Sequence, residues 1–155
     1  MGNKSSLEGN EIEDYGATLE LSLWSCHVSY YAAGMIVGLT IMMTAMVAPT
    51  LNKKLDRKNF GIVVRVLWPL YFQSMFITSL CSLGVMYYTN DLMTKVVHTS
   101  IMSGTCVLSF IDNAIIPMTN QATDTNNLKL FNFLHTISVS STVLILISNI
   151  AFLFL

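Results

Sequence analysis

Between Ser109 and Asn120 the chain reads SFIDNAIIPMTN, which places Asp112 and Asn113 inside an otherwise apolar run. A carboxyl group in hydrocarbon costs several kcal/mol or more unless it meets a partner, so its presence there has a chemical purpose. Two such purposes fit: a structural ion pair that locks helices, or the handling of a proton or ion. Arg65 and His135 are the candidate partners, because both fall near the same end of apolar segments as Asp112. If the segment holding Asp112 stops at Pro117, the acid lies about 7–8 Å inside that boundary at 1.5 Å per residue. The expectation is therefore a polar cluster in which Asp112 pairs with Arg65, and His135 and Asn113 complete it.

Two lines of side chains extend the theme. His135, Ser138, Thr142, Ile145 and Asn149 step by three and four residues, which keeps them on one helical face, with Ser141 and Ser148 flanking it. Val143, Leu144, Ile147 and Phe152 then face lipid. His98, Met102, Thr105, Ser109 and Asp112 make a similar line. Such stripes serve either as hydrogen-bonded helix packing or as a polar pathway. His27 and His98 share a level at the end opposite Asp112, and two facing imidazoles at one depth suit a haem or a metal. No second His pair supports that idea, and the expected cofactor content is none. Gly-Xaa-Ser-Xaa-Gly, a Walker loop and His-Glu-Xaa-Xaa-His are all missing from the sequence. Cys26, Cys81 and Cys106 are odd in number and lack ligand spacing. No enzyme is expected.

The elements that must carry these residues follow from composition. Of 155 residues, 53% are hydrophobic and 11% charged, and mean hydropathy is +0.58. Soluble domains are roughly a quarter charged, so lipid is the expected solvent. A net charge of -1 gives no reason to expect nucleic-acid binding. Residues 1–20 read as a polar, acidic segment too polar for a signal peptide. Residues 21–155 read as four spans, at about 23–48, 62–88, 92–116 and 128–155, each long enough to cross a bilayer. Pro49 and Pro117 are the expected stops for spans one and three, and Pro69 lies inside span two. Short polar connections then make an all-α, antiparallel four-helix bundle embedded in the membrane.

Lys53, Lys54, Arg57, Lys58, Arg65 and Lys129 lie on the side of loops 1–2 and 3–4, against Lys4 and Lys95 on the other. The positive-inside rule therefore places both chain ends away from the cytosol. Gly2 fits the N-myristoylation pattern, which needs a cytosolic N-terminus, whereas Asn3 heads a glycosylation sequon, which needs a lumenal one. Gly34 and Gly38 form a small-xxx-small pair that lets helix backbones approach closely. The expected location is an endomembrane or the plasma membrane rather than the mitochondrial inner membrane. The bilayer is the expected partner, with a homo-oligomer or a larger membrane complex left open.

The stretch KLDRKNFGIVVRVLWPLYF, with Phe60-Gly61 followed by Pro69, Tyr71 and Phe72, resembles the transmembrane protein 205-like family. Phe131, His135 and Ser138 match the start of that family's last helix, and Ser148-Asn149 falls in register. Asn113-Ala114 before Pro117 corresponds to its third span, whereas Thr142 stands where the family usually has Asn. The resemblance implies a small multipass protein with no assigned catalysis, linked in some members to tolerance of platinum drugs. Structural, assembly or trafficking work is the first expectation. A solute or ion transporter using the polar seam is the second, and a haem-bearing redox subunit the third.

Overall fold

The computed structural model describes residues 4–86 and 92–155, with side chains described from 16 onward apart from 18 and 92–94. Gly2, Asn3 and Asn90-Asp91 lie outside the described residues. Helix α1 spans Lys4–Ile41, and a π-helical turn, Met42–Val47, joins it to α2, Ala48–Lys54. Three long helices follow: α3 (Arg57–Met86), α4 (Leu92–Asp124) and α5 (Leu128–Leu153). Four helices are long and apolar enough to cross a membrane. Helix α1 packs against α3 and α5, and α4 packs against α3 and α5, which closes a four-membered ring. Short connections between chain neighbours make this an antiparallel membrane-type bundle.

Helical periodicity explains which faces meet. Ser25, Ser29, Ala33, Ile36 and Thr40 of α1 and Met43 of the π-turn are buried at steps of three or four. On α3 the buried line is Phe72, Met75, Ser79, Ser82 and Met86, and on α4 it is His98, Met102, Thr105, Ser109 and Asp112. The α4 line is the one expected from its spacing. Outward-facing Phe110, Val107 and Ile147 are each about 60% exposed, as suits contact with acyl chains. Many hydroxyls bond back to their own helix, such as Ser29 to the Ser25 carbonyl at 2.8 Å and Ser100 to Val96 at 2.8 Å. Their polarity is satisfied without a partner helix.

Helix ends depart from expectation. Pro49 does not stop the first span. The Ala48 N–H reaches back to the Met43 carbonyl in the π-turn, and Pro49 occupies the first turn of α2, where its missing N–H costs little. Pro117 does not stop the third span either; it sits inside α4, which continues to Asp124. Two links shrink accordingly. Leu55-Asp56 joins α2 to α3, with the Asp56 carboxylate accepting from the Asn59 side-chain amide at 2.5 Å. Between α4 and α5, Asn126 takes a left-handed backbone (φ 53) that asparagine tolerates. The Asn127 N–H then returns to the Ala122 carbonyl at 2.8 Å, and the Asn127 side chain caps α5 by accepting from the Leu130 N–H at 3.2 Å.

Helix α5 presents Leu134, Ser141, Ile145, Asn149 and Phe152 to the core. The buried line therefore begins at Leu134, not at His135, which is exposed. Phe152 is 1% exposed, so its expected place against lipid is corrected. It lies three residues beyond Asn149, and that step keeps it on the same face. Gly34 is half-buried and Gly38 exposed, and a Cβ on either would meet nothing within 4 Å. Their small size serves no close helix crossing inside this bundle.

Candidate functional site

The two ends of the bundle handle their polar residues differently. At the end away from the basic residues, His98 is fully buried and its Nε2 lies 2.7 Å from the Ser82 hydroxyl. The Phe152 ring covers His98 at 4.6 Å between centroids and stacks on Tyr30 at 4.9 Å. Below them, the Asn149 amide donates to Thr105 Oγ1 at 3.0 Å, joining α5 to α4. Tyr71 donates to Thr40 Oγ1 at 3.1 Å, joining α3 to α1. These contacts knit all four long helices. His27 takes no part: it is exposed and bonds through Nδ1 to its own helix at Leu23, 2.7 Å away. The two imidazoles face different surroundings, so the rival reading of a haem-ligating pair is not met by this geometry.

The basic end is open. A groove of about 750 Å³ lies there between α2, α3, α4 and α5. Arg57, Arg65 and Asn52 stand among its mouth residues, and Phe60, Trp68 and Phe131 supply rings to its walls. Gly61 also lines it, and an added Cβ there would meet nothing. The expected cluster is redistributed around this space. Arg65, Asp112, His135 and Ser138 all line the groove, but Arg65 is paired with Asp124 rather than with Asp112. Asn113 is half-buried and does not line it. His135 stacks on Phe131 at 5.6 Å, with the rings 8° from parallel.

Depth explains the changed pairing. Because α4 runs on to Asp124, Asp112 lies twelve residues, about 18 Å, from that helix end. Arg65 is about 12 Å along α3 and His135 about 10 Å along α5, measured from the same end. Asp112 therefore sits a helical turn deeper than either. Asp124 meets the guanidinium at the rim, where the two side chains are 40% and 59% exposed. The ordinary cost of burying an ion pair is avoided there.

Asp112 is left 1% exposed, and neither carboxyl oxygen has a hydrogen-bond partner. Ser138 and Ser141 bracket its height on α5, and their hydroxyls face the carboxyl without reaching hydrogen-bond geometry. Thr142 bonds back to the Ser138 carbonyl at 2.9 Å and contributes nothing to the acid. Two further unpartnered atoms, Asn149 Oδ1 and His98 Nδ1, continue the line away from the groove. From Asp112 to His98 is fourteen residues, about 21 Å along α4. A buried polar column therefore begins at the floor of an open groove.

Residues 31–127 match a family model described as a domain of unknown function, DUF4149. The chain belongs to the DUF4149 family. No curated protein matches it, and no solved structure does. The matched residues of this DUF4149 protein run from within α1 to the turn before α5. They include Arg65, Asp112, Asp124 and Trp68, and they leave the α5 side of the groove outside the match.

Sequence reasoning missed Asp124 and the place of Trp68 in the groove, and it gave Ser141 only a flanking position. The continuation of α4 past Pro117 could have been read from the stripe, since Asp112, Ile115, Thr119 and Ala122 keep steps of three and four straight through it, and Asp124 then falls in that helix's last turn. The place of Trp68 in the groove wall depends on where α4 and α5 stand, which spacing within its own span does not reveal.

Proposed function

We propose that this DUF4149 membrane protein handles a solute, which enters the groove at the basic end and is held at its floor by Asp112. The observation that supports this reading is a carboxyl group 1% exposed, without a hydrogen-bond partner, at the bottom of a cavity of ligand size. A structural ion pair requires a charged partner, and Arg65, which lines the same groove, is committed to Asp124. The residues that carry the likeness to the transmembrane protein 205-like family also favour the groove, since Phe60, Gly61, Phe131, His135 and Ser138 all line it. Efflux or trafficking work suits such a site. The test is uptake and release of small cationic, neutral and anionic dyes by proteoliposomes, comparing wild type with Asp112→Asn. At least one dye should move several-fold faster through the wild type. Identical movement of every dye in both proteins rejects the reading.

A second reading, an assembly component of a larger membrane complex, draws on the outward Gly34 and Gly38 backbone. That surface leaves room for a neighbouring helix to approach closely. Gly34→Leu with Gly38→Leu should then shift the size of the detergent-solubilised particle without changing dye flux. An unchanged particle rejects it.

A further inference from the structure

We propose that the groove selects an organic cation: a single positive charge, of the ammonium type, on an apolar body. The inference rests on the solute-handling reading and names its substrate class. Charge is the first argument. Among the groove-lining residues Asp112 is the one acid, and it lies at the floor with the Ser138 and Ser141 hydroxyls beside it and neither oxygen in a formed hydrogen bond. A buried carboxyl of this kind is held by a proton or by a cationic partner, and among the described residues no cationic side chain is paired with it.

Size and wall chemistry are the second. A bare metal ion wants several oxygen or nitrogen ligands converging on a small space. Among the described residues no group of three His, Cys, Asp or Glu side chains could hold one. The space is about 750 Å³, far larger than an ion, and its walls carry Val64, Ile115 and Ile116 beside the rings. Trp68 stands eleven residues into α3, about 16 Å from the helix start, close to the height of Asp112. Phe60 and Phe131 form an outer tier, each about 4–5 Å into its helix. Aromatic faces around one counter-charge are the recognised way to hold a positively charged nitrogen stripped of water.

The mouth supplies the third. Arg65 would fill the role of counter-ion to Asp112 if it were free, but Asp124 holds it at the rim. The Arg65–Asp124 pair thus keeps an internal competitor away from the site. Arg57 near the mouth disfavours a second positive charge on the ligand, which limits the class to monocations.

Equilibrium binding tests this on the full chain in lipid nanodiscs. Trp24 is 70% exposed on α1, outside the groove, so Trp24→Phe leaves Trp68 as the one tryptophan reporter. The probes are benzyltriethylammonium and its neutral isostere, with carbon in place of the ammonium nitrogen. The cation should change Trp68 emission saturably and bind at least tenfold more tightly than the isostere. Asp112→Asn should remove that preference, and Asp112→Glu should restore part of it, with helical circular dichroism unchanged in both. Equal binding of the two probes, insensitive to Asp112→Asn, overturns cation selection and leaves the groove as a binding site. Binding of neither probe overturns both the selection and the solute-handling reading.

Discussion

The two ends of this bundle use similar residues to opposite effect. At the closed end, His98, Asn149, Thr105 and Ser82 meet one another, and Phe152 fills the space above them. At the open end, Asp112, Ser138, His135 and Arg65 surround a space, and the Asp112 carboxyl faces the Ser138 and Ser141 hydroxyls with no hydrogen bond formed. Buried polar side chains therefore do not have one meaning in a membrane bundle. Where partners converge they fasten helices, and where a cavity replaces the partner they are left for something else.

The difference can be broken most sharply at Phe152. Phe152→Ala should destabilise the protein by about 3 kcal/mol, the low end of the range for a buried ring, because lipid does not drive apolar burial. Unfolding in mixed micelles, followed by circular dichroism, measures it against Phe133→Ala, whose ring is 63% exposed. Equal losses would show that the closed end is not packed as described.

Next in size is the contrast between two buried polar groups. Asn149→Ala should cost about 1 kcal/mol, most of it coupled to Thr105 in a double-mutant cycle with Thr105→Val. Asp112→Asn removes no existing hydrogen bond, so its stability should stay within about 0.5 kcal/mol of wild type or rise. A large loss at Asp112 would reveal a structural partner and erase the distinction between the ends.

A smaller effect belongs to the rim. Arg65→Leu and Asp124→Asn should couple by less than about 1 kcal/mol, since both groups are substantially exposed. Arg65→Leu and Asp112→Asn should be additive in stability, the reverse of what a direct pair between them requires.

The least effect is expected at the α2–α3 link, outside the membrane. The Asn59 side-chain amide beside Asp56 holds that carboxyl below its ordinary range. A depressed folded-state value means that the cap is present above the usual carboxylate range and is lost as pH falls through the lowered value. Protection of the Asn59 and Phe60 amides against hydrogen exchange, taken relative to the intrinsic rate at each pH, should fall on acidification, and Asp56→Ala should make that protection pH-independent. Unchanged exchange in the variant would remove the cap from this account.

Much of the architecture was readable from spacing. The α4 stripe from His98 to Asp112 was placed on the buried face because steps of three and four residues define a face without reference to any neighbour. The outward position of Val143, Leu144 and Ile147 followed for the same reason. Helix ends were harder. Pro117 and Pro49 look like stops, yet a proline near the rim of a membrane helix forfeits one backbone bond while the remaining turns continue. That misplacement put Asp112 about 10 Å too close to the end of its own helix and so at the level of Arg65, the wrong partner. Phe152 was assigned outward because it is apolar, although its register with Asn149 puts it inside.

Hydropathy and periodicity thus establish that lipid surrounds four helices and that Asp112 turns inward, since both depend on local composition and the 3.6-residue turn. Which residue meets it does not follow from either. Pairing depends on the axial offset between helices and on how closely their ends converge, and those are properties of the packed bundle. Only there does α4 overrun its proline, Asp124 take Arg65, and a carboxyl remain unclaimed above the closed core.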